Sequence, residues 1–295
     1  MKYAFVHSNR QWPISLKCEL LGVSPSGYHA YSQRLRLNRP TRHSMSNDAL
    51  LSNIKVIHQE VKNEYGWPRM HKELLLRGVR VGKERVRKLM QQHDIRARHK
   101  RKWIATTDSK HGLPIAPNLL QRDFSPNQPN QVWTTDITYI HTKEGWQYLA
   151  VFLDLFSRQI VGWSMQAHMK AEMVTDALRM AYFKRRPDPG LIIHSDRGSQ
   201  YCSLMFQDTL KAYGMRSSMS RKGDCWDNAP TESLWSSLKV ARIHGKIFST
   251  GREAKDEVID WINFYNASRL HSTLGFTSPM KFEKEWLASQ LKQAA

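Results

Sequence analysis

The sequence predicts an α/β protein: a mixed five-stranded sheet with helices, preceded by small all-α helix-turn-helix modules. Three observations predict it. From Val132 onward, five runs rich in β-branched and aromatic residues are interleaved with stretches of helical periodicity. Before that point, apolar residues recur at helical spacing. The charge is also unevenly divided. Of a formal +19, residues 1–124 carry 24 Lys and Arg against 9 Asp and Glu, whereas residues 125–295 carry 21 against 17. A cationic N-terminal part suits a polyanion; the plain alternative is a basic, soluble surface.

In chain order, Ile14–Tyr31 outlines a helix that stops at Gly22, then a second helix capped by Ser24 with Pro25 at its first position. This is a helix-turn-helix outline in residues 1–44, whose second helix could enter a major groove or simply pair with the first. Leu50, Ile54, Ile57 and Val61 form one stripe of an amphipathic helix. Pro68 opens a helix ended by Gly78, and a further helix over about Gly82–His93 buries Val86, Leu89 and Met90. Its remaining positions include Lys83, Arg85, Arg87 and Lys88, a second helix-turn-helix outline in residues 45–103. The run Arg96–Trp103 follows, with Arg98, Lys100, Arg101 and Lys102. Such density suits phosphate contacts, which carry affinity rather than sequence choice; a solvated face is the bland reading. Residues 104–123, with Pro114, Pro117 and Asn118, read as a linker.

Residues 124–288 make up the α/β part. Val132–Ile140 is the first strand, Glu144-Gly145 a hairpin turn into Gln147–Asp154, and Arg158–Ala167 the third strand. Glu172–Phe183 is a helix with Met173, Ala177, Met180 and Ala181 on its inner face. Leu191–His194 is a short buried strand, Leu204–Tyr213 a helix ended by Gly214, and Met215–Met219 the last strand. A helix over about Asn228–Ile243 faces the core with Leu234, Leu238 and Ala241. Glu232, Ser236 and Lys239 fall on a neighbouring stripe.

Three carboxylates stand out: Asp136 in a strand, Asp196 where a strand ends in a polar turn, and Glu232 at a helix start. Between the first two lie 59 residues and between the last two 35. Acids brought together repel one another unless cations sit among them. Mg²⁺ prefers hard oxygen ligands and keeps part of its water shell. Two such ions roughly 3.5–4 Å apart can activate a nucleophilic oxygen, stabilise a leaving oxygen and neutralise phosphate charge.

The strings WTTDITYI, YLAVFLDLFSRQIVGW, HSDRGSQY, SRKGDCWDNAPTESLWSSLK and INFYNASRLHSTLGFTSP resemble the catalytic half of DDE transposases of the IS-three family of insertion sequences, second reading frame, and more distantly retroviral integrases. The likeness spans about Phe124–Trp286. It implies a ribonuclease-H-like core in which the first and fourth strands lie side by side, bringing Asp136 to Asp196, with Glu232 supplied by the final helix. It implies two Mg²⁺ ions on Asp136, Asp196 and Glu232, with Mn²⁺ able to substitute, DNA as partner, and homo-oligomers on DNA. It also implies a role for the upstream-reading-frame protein in end recognition and assembly. A basic residue at the offset of Lys239 contacts element-end DNA in that family, so Lys239 is assigned to DNA. His194 and Arg197, flanking Asp196, could orient a carboxylate, touch a phosphate or fill the turn. Asp154 is assigned a structural role, such as pairing with Arg158. Asp224 and Asp227 are read as caps or loop formers in a loop that closes over DNA. Arg269 and His271 have no derivable role.

Cys18, Cys202 and Cys225 are far apart and odd in number, which argues against a disulfide framework or a zinc module and for a reduced, cytoplasmic chain. The first twelve residues lack the apolar core of a signal peptide, and the longest apolar stretch, Tyr148–Phe156, is too short to span a bilayer. Two rival readings stand beside the transposase: a nuclease on the same fold, and a non-catalytic helix-turn-helix regulator.

Overall fold

The computed structural model describes residues 2–9, 11–36, 45–98, 113–221 and 225–294. Three short helices open the chain: α1 (Lys2–Ser8), α2 (Ile14–Leu20) and α3 (Pro25–Arg36). Gly22 turns the corner at φ +60°, and Ser24 Oγ accepts from Gly27 N at 3.1 Å, capping α3 as its sequence predicts. Val6, Cys18 and Tyr28 form a small core here. Next come α4 (Asn47–Glu60), α5 (Trp67–Leu76) and α6 (Lys83–Gln92). The stripe Leu50, Ile54, Ile57 and Val61 is buried, together with Val86, Leu89 and Met90.

The α/β part contains β1 (Val132–Thr142), β2 (Gly145–Asp154), β3 (Ile160–Gln166), α7 (Ala171–Arg185), β4 (Ile192–Ser195), the single turn α8 (Ser199–Cys202), α9 (Leu204–Ala212) and β5 (Arg216–Met219). It closes with α10 (Ala229–Leu238), α11 (Gly251–Ala267) and α12 (Pro279–Ala294). The sheet order is β3-β2-β1-β4-β5; β1–β2 and β2–β3 are antiparallel, β1–β4 and β4–β5 parallel. This is the mixed, ribonuclease-H-like order that the family resemblance implies, with both faces covered. Trp133, Phe152 and Val161 pack against α7, α8 and α9; Leu149, Val151, Leu153 and Ile160 pack against α10 and α11. Gly162 lets α7 approach β3 closely: a Cβ there would lie 2.4 Å from Ala177 O.

Several elements depart from the sequence-based expectation. α7 buries Met173, Val174, Ala177, Leu178 and Ala181, while Met180 is largely exposed. The helix expected over about Asn228–Ile243 is present but changes pitch: α10 ends at Leu238 and runs directly into a π turn, Lys239–Ile243. Asp154 is buried as a structural acid, but its partners are not led by Arg158. It accepts from Asn130 N (2.7 Å), Trp133 Nε1 (3.2 Å), Phe156 N (2.9 Å) and Ser157 N (3.0 Å), with Arg185 3.9 Å away. Arg158 instead donates to Phe124 O.

The α4–α6 module is seated directly on the α/β part. Leu270, Phe264 and Phe276 join its core, Arg69 Nε donates to Leu270 O, and Tyr65 accepts from Leu270 N at 2.9 Å. Among the described residues no helix is long and apolar enough to cross a membrane.

Candidate active site

Strand register sets the first two acids beside each other. β1 and β4 pair through Val132↔Ile192, Trp133↔Ile193 and Thr134↔His194. The same register, carried two residues further, puts Asp136 opposite Asp196, where β4 has ended in a polar turn. Asp196 shapes that turn itself, its Oδ1 accepting from Gly198 N at 2.9 Å.

α10 is stapled across β1. The Thr231 hydroxyl donates to Asn228 Oδ1 (3.0 Å) and lies 2.8 Å from Thr134 Oγ1, and Trp235 Nε1 donates to Asp136 Oδ2 at 2.9 Å. Asn228, Thr231 and Trp235 share one face at helical spacing. Glu232, four residues after Asn228, belongs to that same face.

The electrostatics show Asp196 and Glu232 both acting on Asp136. The Asp136 carboxyl is pushed up to about 7, chiefly by burial and next by the charge of Asp196. Hydrogen bonds from Ile137 N and Trp235 work against the rise, and Glu232 adds to it. The Tyr201 hydroxyl, 3.3 Å from Thr135 Oγ1, is raised well above its ordinary value by burial and by the charges of Asp136 and Asp196. Lys239, at the start of the π turn, is depressed by burial while Asp136 opposes the depression. Its Nζ lies 4.8 Å from the Tyr139 ring.

Among the described residues no three His, Cys, Asp or Glu side chains already stand in a cage for one ion. A pair of ions does not require that, because each Mg²⁺ takes one or two carboxylates plus water and phosphate oxygens. The donor set fits: hard oxygens only, and acids whose repulsion a cation relieves.

His194 and Asp227 hold the segment leading into α10. His194 Nε2 donates to Asp227 O at 3.0 Å, which leaves Nδ1 to accept from Ser218 Oγ at 2.9 Å. Acceptance at Nδ1 needs the neutral ring, and burial depresses its protonation accordingly. The Asp227 carboxylate takes Arg221 Nη2 (3.0 Å), Arg122 Nε (2.8 Å) and Asn118 Nδ2 (3.0 Å), and Arg221 in first place holds it well below the usual range. His194 thus fills the turn rather than facing the acids. Asp224 lies outside the described residues.

Comparison with known proteins decides the family. The transposase InsF of insertion sequence IS3A from Escherichia coli K12 is 40% identical over 291 residues, covering 98% of this chain and all of that one. The chain belongs to the IS3 family of insertion-sequence transposases. A 31 kDa protein of insertion element IS600 from Shigella sonnei is 42% identical over 270 residues, covering 91% of this chain and 98% of that one. Models of an integrase core domain match residues 126–225 and 213–279, and an HTH-like domain matches residues 45–103. One solved structure with a similar trace is the HTLV-2 integrase catalytic core domain in complex with magnesium, 16% identical, TM-score 0.42, covering 53% of this chain and 98% of that one.

In this IS3-family chain the basic residues marked by sequence fall into different settings. Lys83 and Lys88 are exposed on α6. Arg87 pairs with Glu84 at 3.0 Å. Arg85 is half-buried and tied to Asn47 Oδ1 and Met45 O, so it braces the start of α4. Arg98 donates to Ala241 O in the π turn, and Arg197 donates to Ser220 O. Lys100, Arg101 and Lys102 lie outside the described residues.

Sequence reasoning missed Arg242. It is buried in the π turn and bonds Glu64 (2.9 Å), Glu257 (2.9 Å) and Asp260 (2.7 Å), joining the HTH-like module to the segment that carries Lys239. The string after α11, without a derivable role in sequence, is the seat of that module. Its Arg269 lies 3.7 Å from Glu64, and its His271 bonds Tyr265 and Thr273. The only signal available was an arginine and an acid at apolar-looking positions of two distant segments.

Proposed function

We propose that this transposase nicks the ends of its element and joins the freed 3′-hydroxyl to DNA, with Asp136, Asp196 and Glu232 holding two Mg²⁺ ions for which Mn²⁺ substitutes. The observation that carries the reading is the Asp136 carboxyl, raised by burial and by the charges of both Asp196 and Glu232. Half-buried acids that raise one another's protonation are costly to a binding protein and useful to phosphoryl chemistry. When bound, the divalent ions supply a lowered pKa for the attacking oxygen and neutralise charge at the phosphate.

The chain's own residues do the rest. The β1–β4 register sets Asp136 against Asp196, and Thr231 and Trp235 hold α10 so that Glu232 faces them. Trp235 occupies one lone pair of Asp136 and fixes that carboxylate's orientation. Lys239 and Arg197 contact phosphates of the element end. The HTH-like module of residues 45–103 grips DNA through Lys83, Arg87, Lys88, Lys100, Arg101 and Lys102, while Arg85 and Arg98 brace it against α4 and the π turn. The α/β domain of residues 124–288 cuts, on a homo-oligomer assembled with the upstream-frame protein in the bacterial cytoplasm. The freed 3′-oxygen attacks phosphorus as the opposite P–O bond breaks, so no Ser or Tyr nucleophile is needed.

The test uses a labelled element end with purified protein in Mg²⁺ and in Ca²⁺. Nicked and joined products are expected in Mg²⁺, and Asp196→Asn should abolish both while retaining DNA. Nicking by that variant refutes the assignment; hydrolysis without joining points to a nuclease.

A further inference from the structure

The β1–β2 hairpin carries an aromatic cluster that the chemistry above does not use. His141 stands directly opposite Trp146, and Tyr139 precedes it on the same face. Ring centroids are 4.9 Å apart for His141–Trp146 and 5.1 Å for Tyr139–Trp146, with interplanar angles of 73° and 82°. Trp146 is 48% exposed, whereas Trp133 and Trp261 are fully buried core residues. The Lys239 ammonium lies 4.8 Å from the Tyr139 ring, so the cluster has a cation at its inner end.

We propose that Tyr139, His141 and Trp146 form a stacking platform for unpaired bases of the DNA strand whose phosphate lies at Lys239. The inference rests on the reading of this site as one that processes DNA. Indole and phenol rings stack on any base, because every base has a π-face, and a neighbouring cation balances the backbone charge. The cluster has both parts in contact. The lysine at its edge also makes it a poor seat for an apolar segment of a second copy.

Position supports the assignment. A strand rises about 3.4 Å per residue and alternates faces, so Tyr139 and the His141–Trp146 pair lie about 10 to 17 Å along β1 from Asp136 and on the alternate face. Lys239, which follows α10 on the Asp136 side and reaches the Tyr139 ring, spans the strand edge between them. A stacked nucleic-acid strand advances about 3.4 Å per nucleotide. The platform therefore receives bases about three to five nucleotides from the reacting phosphate. β4 stops pairing at Thr134, so between Asp136 and Thr142, where Phe248 bridges to the strand, β1 has no β4 neighbour.

The test measures equilibrium binding of full-length protein, in Ca²⁺, to two labelled duplexes. One is fully paired; the other has mismatches at the third to fifth nucleotides from the end. Trp146→Leu, which keeps hairpin packing but removes the π-face, is expected to weaken binding to the mismatched duplex roughly 5- to 150-fold. It should change binding to the paired duplex less than about twofold, and Trp146→Phe should retain most of the preference. Tyr139→Leu is a second arm should Trp146→Leu fail to fold, and should show the same selective loss. Equal losses on both duplexes, or none on either, overturn the platform. Nicking by the wild type in Mg²⁺ is scored separately, so a protein that discriminates between the duplexes yet never nicks fails the catalytic reading and not this one.

Discussion

Arg242→Ala probes the joint between the HTH-like module and the catalytic helix. In the native fold the Arg242 and Glu64 side chains are 2% and 1% exposed, and their 2.9 Å contact spans 178 positions of chain. Burial raises the Glu64 carboxyl above its ordinary value even with Arg269 and Arg242 opposing. Without Arg242, Glu64 keeps Arg269 at 3.7 Å and the more distant charge of Arg69. Asp260 and Glu257, by contrast, retain Lys62 and Lys246. The loss therefore falls on Glu64. Removing one partner of a buried pair costs about 3–5 kcal/mol. The remaining Arg269 puts the expectation at the low end, about 3 kcal/mol, or roughly a 150-fold shift of the docking equilibrium at 1.4 kcal/mol per tenfold. Limited proteolysis and urea unfolding, with the module's cleavage followed separately from that of the core, measure it. Glu64→Leu combined with Arg242→Met leaves no unpaired charge and should recover most of the loss. A variant within about 1 kcal/mol of wild type, or a double variant as damaged as the sum of the singles, would refute the reasoning.

Other expectations follow from the same geometry. His271 is depressed to about 4 by burial and by the charges of Arg269, Arg69 and Arg158. The unfolded chain therefore binds more protons than the folded one between about pH 6.5 and 4, and stability falls as pH drops through that window. Relative to His271→Gln, wild type should lose up to about 3 kcal/mol across it in paired denaturation curves; parallel curves contradict the assignment. Trp235→Phe removes a hydrogen bond to a charged oxygen worth about 1.5–3 kcal/mol, so the nicking rate should drop roughly 10- to 150-fold with DNA retention unchanged. If the basic module grips about 6–10 phosphates, affinity should fall about 10³- to 10⁵-fold between 50 and 200 mM salt. A flat response in the same binding assay would remove the module from DNA binding.

Much of this was legible from residues alone. Runs of β-branched and aromatic residues marked β1 and β2, because each buries one face on α7–α9 and the other on α10 and α11. The stripe at Leu50, Ile54, Ile57 and Val61 needed only helical spacing. That Asp136 meets Asp196 depended on β1 and β4 being neighbours, which local periodicity does not contain; the family resemblance supplied it. Beyond reach were features set by long-range pairing. The π turn at Lys239–Ile243 keeps Leu238 and Ala241 buried just as an α-helix would, so the hydrophobic pattern does not betray it. Asp154 looked like a partner for Arg158 by proximity in sequence, yet its carboxylate is satisfied by backbone N–H groups and Trp133, contacts that appear only when the loop closes on β2. The seat of the HTH-like module on Leu270 and Phe276 depends on segments about two hundred residues apart and has no local signature.

The most direct measurement is the number of Mn²⁺ ions bound per chain on an element end, counted by electron paramagnetic resonance alongside nicking. Two ions are expected for the wild type, and Asp136→Asn, Asp196→Asn and Glu232→Gln should each lose at least one ion together with nicking. Any of these variants that keeps both ions and still cuts would contradict the shared metal site.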